Sequence, residues 1–272
     1  MLGQEQLIQD IDGMLAHNAF PRFSIVLGER GMEHEDVARY VANKINADLI
    51  MLPDVKVDTI RGMISKAYKL HERTIFCIPH ADDMSINAKN AMLKVVEDAP
   101  NKAYFIMCLE DLSNTLATIE SRGTVLRMNR PTPQQIMDFT RSLYVHKEDI
   151  DKKEVEIYGE ICSTVGDVLL MQKYGAKNLY AYAEYVADNM TQVSGAEVFK
   201  LSDKLALKDE EDKYDCRVFL KALQTAFFKR HKYTIAITIG KYMQDLRIKG
   251  INKTMLMDTM CLEVRRLWKS LM

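Results

Sequence analysis

The sequence has no Cys-x-x-Cys pair, no apolar run near the roughly 18 residues of a membrane span, and no surplus of either charge. Cys77, Cys108, Cys162, Cys216 and Cys261 are scattered, which excludes a paired-cysteine motif and predicts buried thiols in a reducing compartment. Lys and Arg number 37 against 38 Asp and Glu, a formal net charge of -1. That balance argues against a freestanding nucleic-acid binder relying on bulk positive charge, and leaves room only for local basic patches. The opening Met1-Leu2-Gly3-Gln4-Glu5-Gln6 lacks the charged-then-apolar pattern of a secretory signal, so the expected location is cytoplasmic, with no membrane contact. No internal repeat or low-complexity tract is present. What is there is ordinary globular material: 47% hydrophobic residues in a 272-residue chain supply ample core for about two domains, or three small ones. The 17 methionines sit at apolar positions and read as flexible core filler.

Up to about residue 130, helical and strand patterns alternate. Leu7, Ile8, Ile11, Met14 and Leu15 recur at helical spacing, then Phe23 to Leu27 is a short apolar run ended by Gly28. Val37, Ala38, Val41, Ala42 and Ile45 mark a second helix, and Val57 to Tyr68 a third. Thr74 to Ile78 is a second buried strand, broken by Pro79. Ser85 is placed to cap a helix running to Glu97 and closed by Pro100. Ala103 to Leu109 is a third strand, followed by a helical stretch to Arg122, and Val125 to Met128 a fourth. Such alternation predicts a parallel, doubly wound sheet with right-handed crossovers. Beyond Arg130-Pro131-Thr132-Pro133 only helical periodicity is legible, clearest in Gly159 to Met171, Asn178 to Met190, Tyr214 to Arg230 and Thr254 to Leu271, with a polar loop over Leu207 to Lys213. The expected domains are an α/β core over 1–130, a small helical domain over 131–189 and a larger helical one over 190–272.

A strand, a glycine turn and a helix form the setting of a P-loop, where backbone amides and a helix N-terminus hold phosphates. Laid on G-x-x-G-x-G-K-[ST], Gly28 and Gly31 fit, but Glu33 replaces the third glycine, His34 the lysine and Glu35 the magnesium-binding hydroxyl, with Asp36 next. Three carboxylates would face a polyphosphate, costing several kcal/mol per close pair at an effective dielectric of ~20. At the end of the second strand, where a nucleotide hydrolase needs acids for magnesium and water, stand Pro79 and His80. Asp82 and Asp83 follow and read as a solvated loop rather than a metal site.

Several ordered motifs resemble the AAA+ clamp-loader family of bacterial DNA polymerase III. Family members run D-E-A-D-x-M and then N-A-L-L-K-x-x-E-E-x-P; this chain has Pro79-His80-Ala81-Asp82-Asp83-Met84 and then Asn90-Ala91-Met92-Leu93-Lys94-Val95-Val96-Glu97-Asp98-Ala99-Pro100. The opening Gly3-Gln4-Glu5-Gln6-Leu7, the segment Val57-Asp58-Thr59-Ile60-Arg61, the strand Tyr104-Phe105-Ile106-Met107 and the pair Ser121-Arg122 also match. The resemblance is strong over 1–130 and rests on helical character alone beyond. Cys108-Leu109 stand where active members place a polar sensor, Gly123 ends the family's serine-arginine-cysteine, and the helix around Gly166-Asp167-Val168-Leu169 lacks the nucleotide-sensing arginine. A short connection over Asp48 to Asp54 leaves no place for the family's four-cysteine zinc module. Loss at every nucleotide-contacting element resembles the ATPase-inactive delta-prime class.

The resemblance implies an AAA+ module, a helical lid over 131–189 and a helical assembly collar over 190–272. It implies a component of the DNA polymerase III holoenzyme with no ATPase activity of its own, no metal and no cofactor. Arg122, with Ser121 beside it, would serve as an arginine finger toward ATP held by a neighbouring subunit. The implied partners are gamma/tau-like motor subunits, a delta-like subunit, the sliding clamp and primed DNA, which Asn87 and Lys89 would face. Alternatives are a diverged ATP-binding AAA+ protein and a structural adaptor outside replication.

Overall fold

Strands that pack on both faces need apolar residues at every position, and the runs legible in the sequence meet that demand. In a computed structural model, which describes residues 1–144, 150–190, 192, 200, 204–206, 214–246, 248 and 251–270, they pair as a five-stranded sheet of order β2-β3-β4-β1-β5. The strands are β1 (Phe23–Leu27), β2 (Asp48–Met51), β3 (Thr74–Ile78), β4 (Ala103–Leu109) and β5 (Thr124–Arg127). All pairings are parallel. The period of two divides each strand between two cores. Phe23, Ile25, Phe76, Ile78, Phe105 and Met107 face one side, and Val26, Ile75, Cys77, Ile106 and Cys108 the other. Helices α1 (Glu5–Ala16) and α2 (His34–Ile45) cover the second face. Helices α3 (Val57–Ala67), α4 (Ile86–Glu97) and the single turn α5 (Ala117–Glu120) cover the first. Ser85 caps α4 as its position predicts, its hydroxyl accepting from the Ala88 amide at 3.2 Å.

Two readings need correction here. The segment after α2 is not a plain connection: Asp48–Met51 is the edge strand, pairing with Thr74–Cys77. It does carry an apolar run, Leu49-Ile50-Met51, but with only four residues in the strand, half-exposed beside one neighbour, that run is too short to tell a strand from a connection. The stretch after β4 is not one helix. It breaks into a 3-10 turn at Leu112–Asn114, capped by Asp111 accepting from the Ser113 amide, and then α5.

The chain divides into two compact units, Met1–Pro131 and Thr132–Met272. The second opens with α6 (Pro133–Ser142), started by a reciprocal capping box between Thr132 and Gln135 with Pro133 in its first turn. There follow α7 (Lys152–Ile161), α8 (Val165–Tyr174), α9 (Ala176–Asn189), α10 (Cys216–Lys229), α11 (Tyr233–Asp245) and α12 (Lys253–Ser270). The predicted helix over Gly159 to Met171 is two helices, because Thr164 and Asp167 form a second capping box that restarts the chain after Ile161. Leu205–Ala206 and Tyr214–Asp215 make a two-residue parallel pair that no periodicity foretold. The predicted loop over 207–213 lies outside the described residues. Ring contacts tie the helices together: Tyr182 of α9 meets Phe219 of α10 at 5.5 Å, and Phe227 of α10 meets Trp268 of α12 at 5.7 Å. A largely buried ion pair joins α8 to α10. Asp167 accepts from the ammonium of Lys221 and from the Ser163 and Thr164 amides at 2.9 and 3.1 Å.

All five cysteines are free and buried. Burial pushes the Cys216 and Cys261 thiols up to about 12 and drives Cys162 well up, while contact with Cys77 and burial do the same to Cys108. The thiolate is the nucleophile, so these groups should be inert in the native protein. Ellman's reagent at pH 8 should modify none of them on the time scale that suffices for a free thiol, and all of them in guanidinium. Fast native labelling of two or more would contradict this packing.

Candidate functional site

A doubly wound sheet offers a ligand crevice beyond the C-terminal ends of its strands, where the strand order reverses. Here that point lies between β1 and β4, and the loop after β1 fills it. The Gly28 amide donates to the carbonyl of Leu109 at the end of β4, at 3.1 Å. Gly28 has no room for a side chain: a Cβ would lie 3.0 Å from both the His34 Nε2 and the Met32 sulfur, and 3.1 Å from Met128. Gly31 is required for a different reason, its φ of +88°. Both glycines therefore have structural causes.

His34, at the lysine position of a P-loop, is 8% exposed and turned into the loop. Its Nδ1 donates to the carbonyl of Met32 at 2.9 Å, and its Nε2 is buried against Gly28 with no protein partner. Three of the loop's amides are bonded within it: Met32 donates to Glu29, His34 to Met32 and Asp36 to Glu33, at 3.0 to 3.1 Å. Glu33 and Glu35 are half-buried beside Asp36. Burial and then the Asp36 and Glu35 charges push the Glu33 carboxyl up. Glu29 is occupied by Arg130, whose Nε donates to it at 2.9 Å. The arrangement presents carboxylates outward, and an imidazole and a thioether inward, where a phosphate would need donors.

At the end of β3, Pro79 is half-buried and His80 is exposed with a φ of +50°. Asp82 is not on a solvated loop. It is half-buried and its carboxylate accepts from the amides of Glu110 and Asp111, at 2.8 and 3.1 Å, and from the Asn114 side chain at 2.9 Å. It staples the turn after β3 to the segment after β4, a role that the Asp82-Asp83 spacing does not disclose. Asp83 is exposed.

Arg122 belongs to a different part of the sheet. It follows α5 and immediately precedes β5, whose Thr124 lies beside Ser24 and whose Arg127 lies beside Leu27. Arg122 thus sits at the edge where strands begin, and the Gly28–Glu35 loop at the edge where they end. Its Nη1 donates to the carbonyl of Thr118 at 3.0 Å, and its Nη2 lies 3.4 Å from a carboxylate oxygen of Glu97, the last residue of α4. Ser121 is exposed and its hydroxyl donates to the Thr118 carbonyl at 3.3 Å. Asn87 and Lys89 lie in the opening of α4, exposed and half-buried, at the other end of the helix from Glu97. The site residues therefore fall into two groups on opposite sheet edges, with α4 running between them. Sequence reasoning missed Glu97 as a partner of Arg122, although the motif Asn90 to Pro100 contains it.

Gly123, next to Arg122, has no room for a side chain. A Cβ there would lie 2.8 Å from the ring of Phe23 and 3.0 Å from Ile25, both buried in β1. Gly123→Cys should cost about 1–3 kcal/mol by overpacking, seen as a lower denaturation midpoint, and Phe23→Leu in the same chain should recover part of it. An undiminished midpoint would mean that the glycine is not set by Phe23.

Comparison with known proteins bears on this geometry. Residues 50–132 match the family model described as "DNA polymerase III, delta subunit"; they span α3 to β5 and include Glu97 and Arg122, but not the loop after β1. The DNA polymerase III subunit delta' of Yersinia pestis is 32% identical over 71 residues, which are 25% of this chain and 21% of that protein. The match thus spans about a fifth of the relative's length. The Thermotoga maritima RuvB Holliday junction branch migration motor superposes with a TM-score of 0.52 at 12% identity, covering 98% of this chain and 85% of its own. A lysine-to-arginine mutant of the same RuvB gives 0.53 at 11%, over 98% and 85%. Those likenesses establish the fold, a parallel sheet flanked by helices and followed in the chain by further helices. Over residues 50–132 the chain is thus similar to DNA polymerase III delta subunits.

Proposed function

We propose that this chain is a non-hydrolysing, delta-prime-like subunit of a sliding-clamp loader, presenting Arg122 to ATP bound by a neighbouring motor subunit. The observation that carries the reading is the placement of Arg122 on the sheet edge away from the chain's own loop. The five residues of β1, at about 3.3 Å each, put roughly 16 Å between the two edges. An arginine so placed has no reach to a nucleotide on its own subunit and is exposed to one on another. Its planar fork stays charged and binds phosphate oxygens bidentately. A finger supplied in trans is worth about 10³ to 10⁵ in rate.

The loop after β1 supports the other half of the reading. His34 and Met32 fill the space over Gly28, and the carboxylates of Glu33, Glu35 and Asp36 repel a polyphosphate. At the start of α4, Asn87 and Lys89 would meet DNA phosphates, aided by the helix N-terminus. In this reading gamma/tau-like and delta-like subunits join through a collar over 190–272, with a lid over 131–189, and the assembly engages the clamp on primed DNA in the cytoplasm.

Calorimetric titration of the purified chain with magnesium-ATP should show no binding in the micromolar range; a micromolar dissociation constant would favour a diverged ATP-binding protein instead. Arg122→Ala should change this chain's stability by about 0.5 kcal/mol or less, since the side chain is exposed. In the reconstituted loader it should leave assembly intact yet slow DNA-and-clamp-stimulated hydrolysis at the adjoining ATP site by up to about 10³-fold. Arg122→Lys should restore only part, because lysine keeps the charge and loses the fork. Full activity with alanine would remove Arg122 from the mechanism.

A further inference from the structure

We propose that Glu97 is a positioning residue for Arg122, holding the guanidinium aimed outward; this rests on the trans role argued above. A long side chain on a surface turn samples many rotamers, and holding one of them is what an isolated arginine lacks. Here the guanidinium is held from two directions. Nη1 donates to the Thr118 carbonyl at 3.0 Å, and Nη2 lies 3.4 Å from Glu97 Oε1. A guanidinium has five N–H donors, so these contacts leave three for phosphate oxygens.

The two partners come from different elements, which makes the arrangement a clamp rather than a local turn. Thr118 belongs to α5, anchored by the fully buried Ile119. Glu97 ends α4, whose Met92 and Val95 are fully buried in the same core. Glu97 itself is exposed, and its side chain has no packing duty that would account for it. While both groups face water the pair is worth little. A neighbouring subunit laid over Arg122 would exclude that water and strengthen the attraction, so the pair gains importance in the assembly. Glu97 is also the first acidic residue of the Lys94-Val95-Val96-Glu97-Asp98-Ala99-Pro100 motif, for which the nucleotide site offers no use.

The test is a double-mutant cycle in the reconstituted loader, using DNA-and-clamp-stimulated hydrolysis with kcat and KM for ATP measured separately. Glu97→Gln should fold with an unchanged melting temperature and assemble normally. It should lower kcat at the Arg122-dependent site by about tenfold with KM unmoved, the signature of a misplaced catalytic group. In an Arg122→Ala background Glu97→Gln should have no further effect, because its only route is through the guanidinium. Glu97→Asp, which shortens the reach, should fall between. If Arg122→Ala is harmless, the proposed function fails. If Arg122→Ala is damaging but Glu97→Gln is neutral, or lowers kcat equally in both backgrounds, Glu97 is not the positioning residue and the function stands.

Discussion

A sheet whose strands all run the same way has two unlike edges, and that polarity organises the first unit of this protein. The strand ends receive the loop after β1, the Pro79-His80 turn and the Asp82 staple. The strand starts receive Gly123, Arg122 and the end of α4. Parallel pairing demands crossovers, each of which carries the chain from one edge back to the other across a face. Helix α4 is such a crossover, and at about 1.5 Å per residue its 12 residues span roughly 18 Å. Residues close in sequence, Asn87 and Glu97, therefore face different surroundings. Residues far apart, Glu97 and Arg122, come together.

The glycines of the loop after β1 are each fixed by a local constraint. Gly28 is required because the His34 and Met32 side chains close on it, and Gly31 because its φ is +88°. Neither cause involves a phosphate. The amides of Met32, His34 and Asp36 donate to carbonyls within the loop itself. A turn of this shape needs some group over Gly28. In this chain an imidazole, held by one hydrogen bond to Met32, takes that space.

In the second unit a polar contact joins helices that otherwise meet largely through apolar side chains. The Asp167 carboxylate closes the capping box at the start of α8 and also receives Lys221 from α10, which donates to the Ser163 hydroxyl at 2.7 Å too. Removing one partner from a buried pair costs about 3–5 kcal/mol; Lys221 retains some exposure, so the lower end applies. The contact ties α8 to α10 across the boundary drawn near residue 189 from periodicity alone. The rings of Tyr182 and Phe219 tie α9 to α10 in the same way.

Buried strands and amphipathic helices were legible in the sequence because burial on one or two faces imposes a period that hydrophobicity reveals directly. β1, β3, β4, β5 and the cap at Ser85 follow from local patterns, and the substitutions at Glu33, His34, Glu35, Pro79 and His80 are visible without coordinates. The edge strand β2 was not legible, because its apolar run, Leu49 to Leu52, is too short to separate a strand from a connection. Nor was the break at Ile161, which a reciprocal cap creates inside a continuous apolar pattern. Sequence alone determined which side chains, Glu33, His34 and Glu35, stand at the P-loop positions, because that is a matter of residue identity. Only the tertiary structure decided that His34 fills the loop, that Asp82 staples two segments and that Arg122 meets Glu97 on the far edge. Those are distances between residues separated along the chain, and they exist only once parallel pairing has folded the crossovers back.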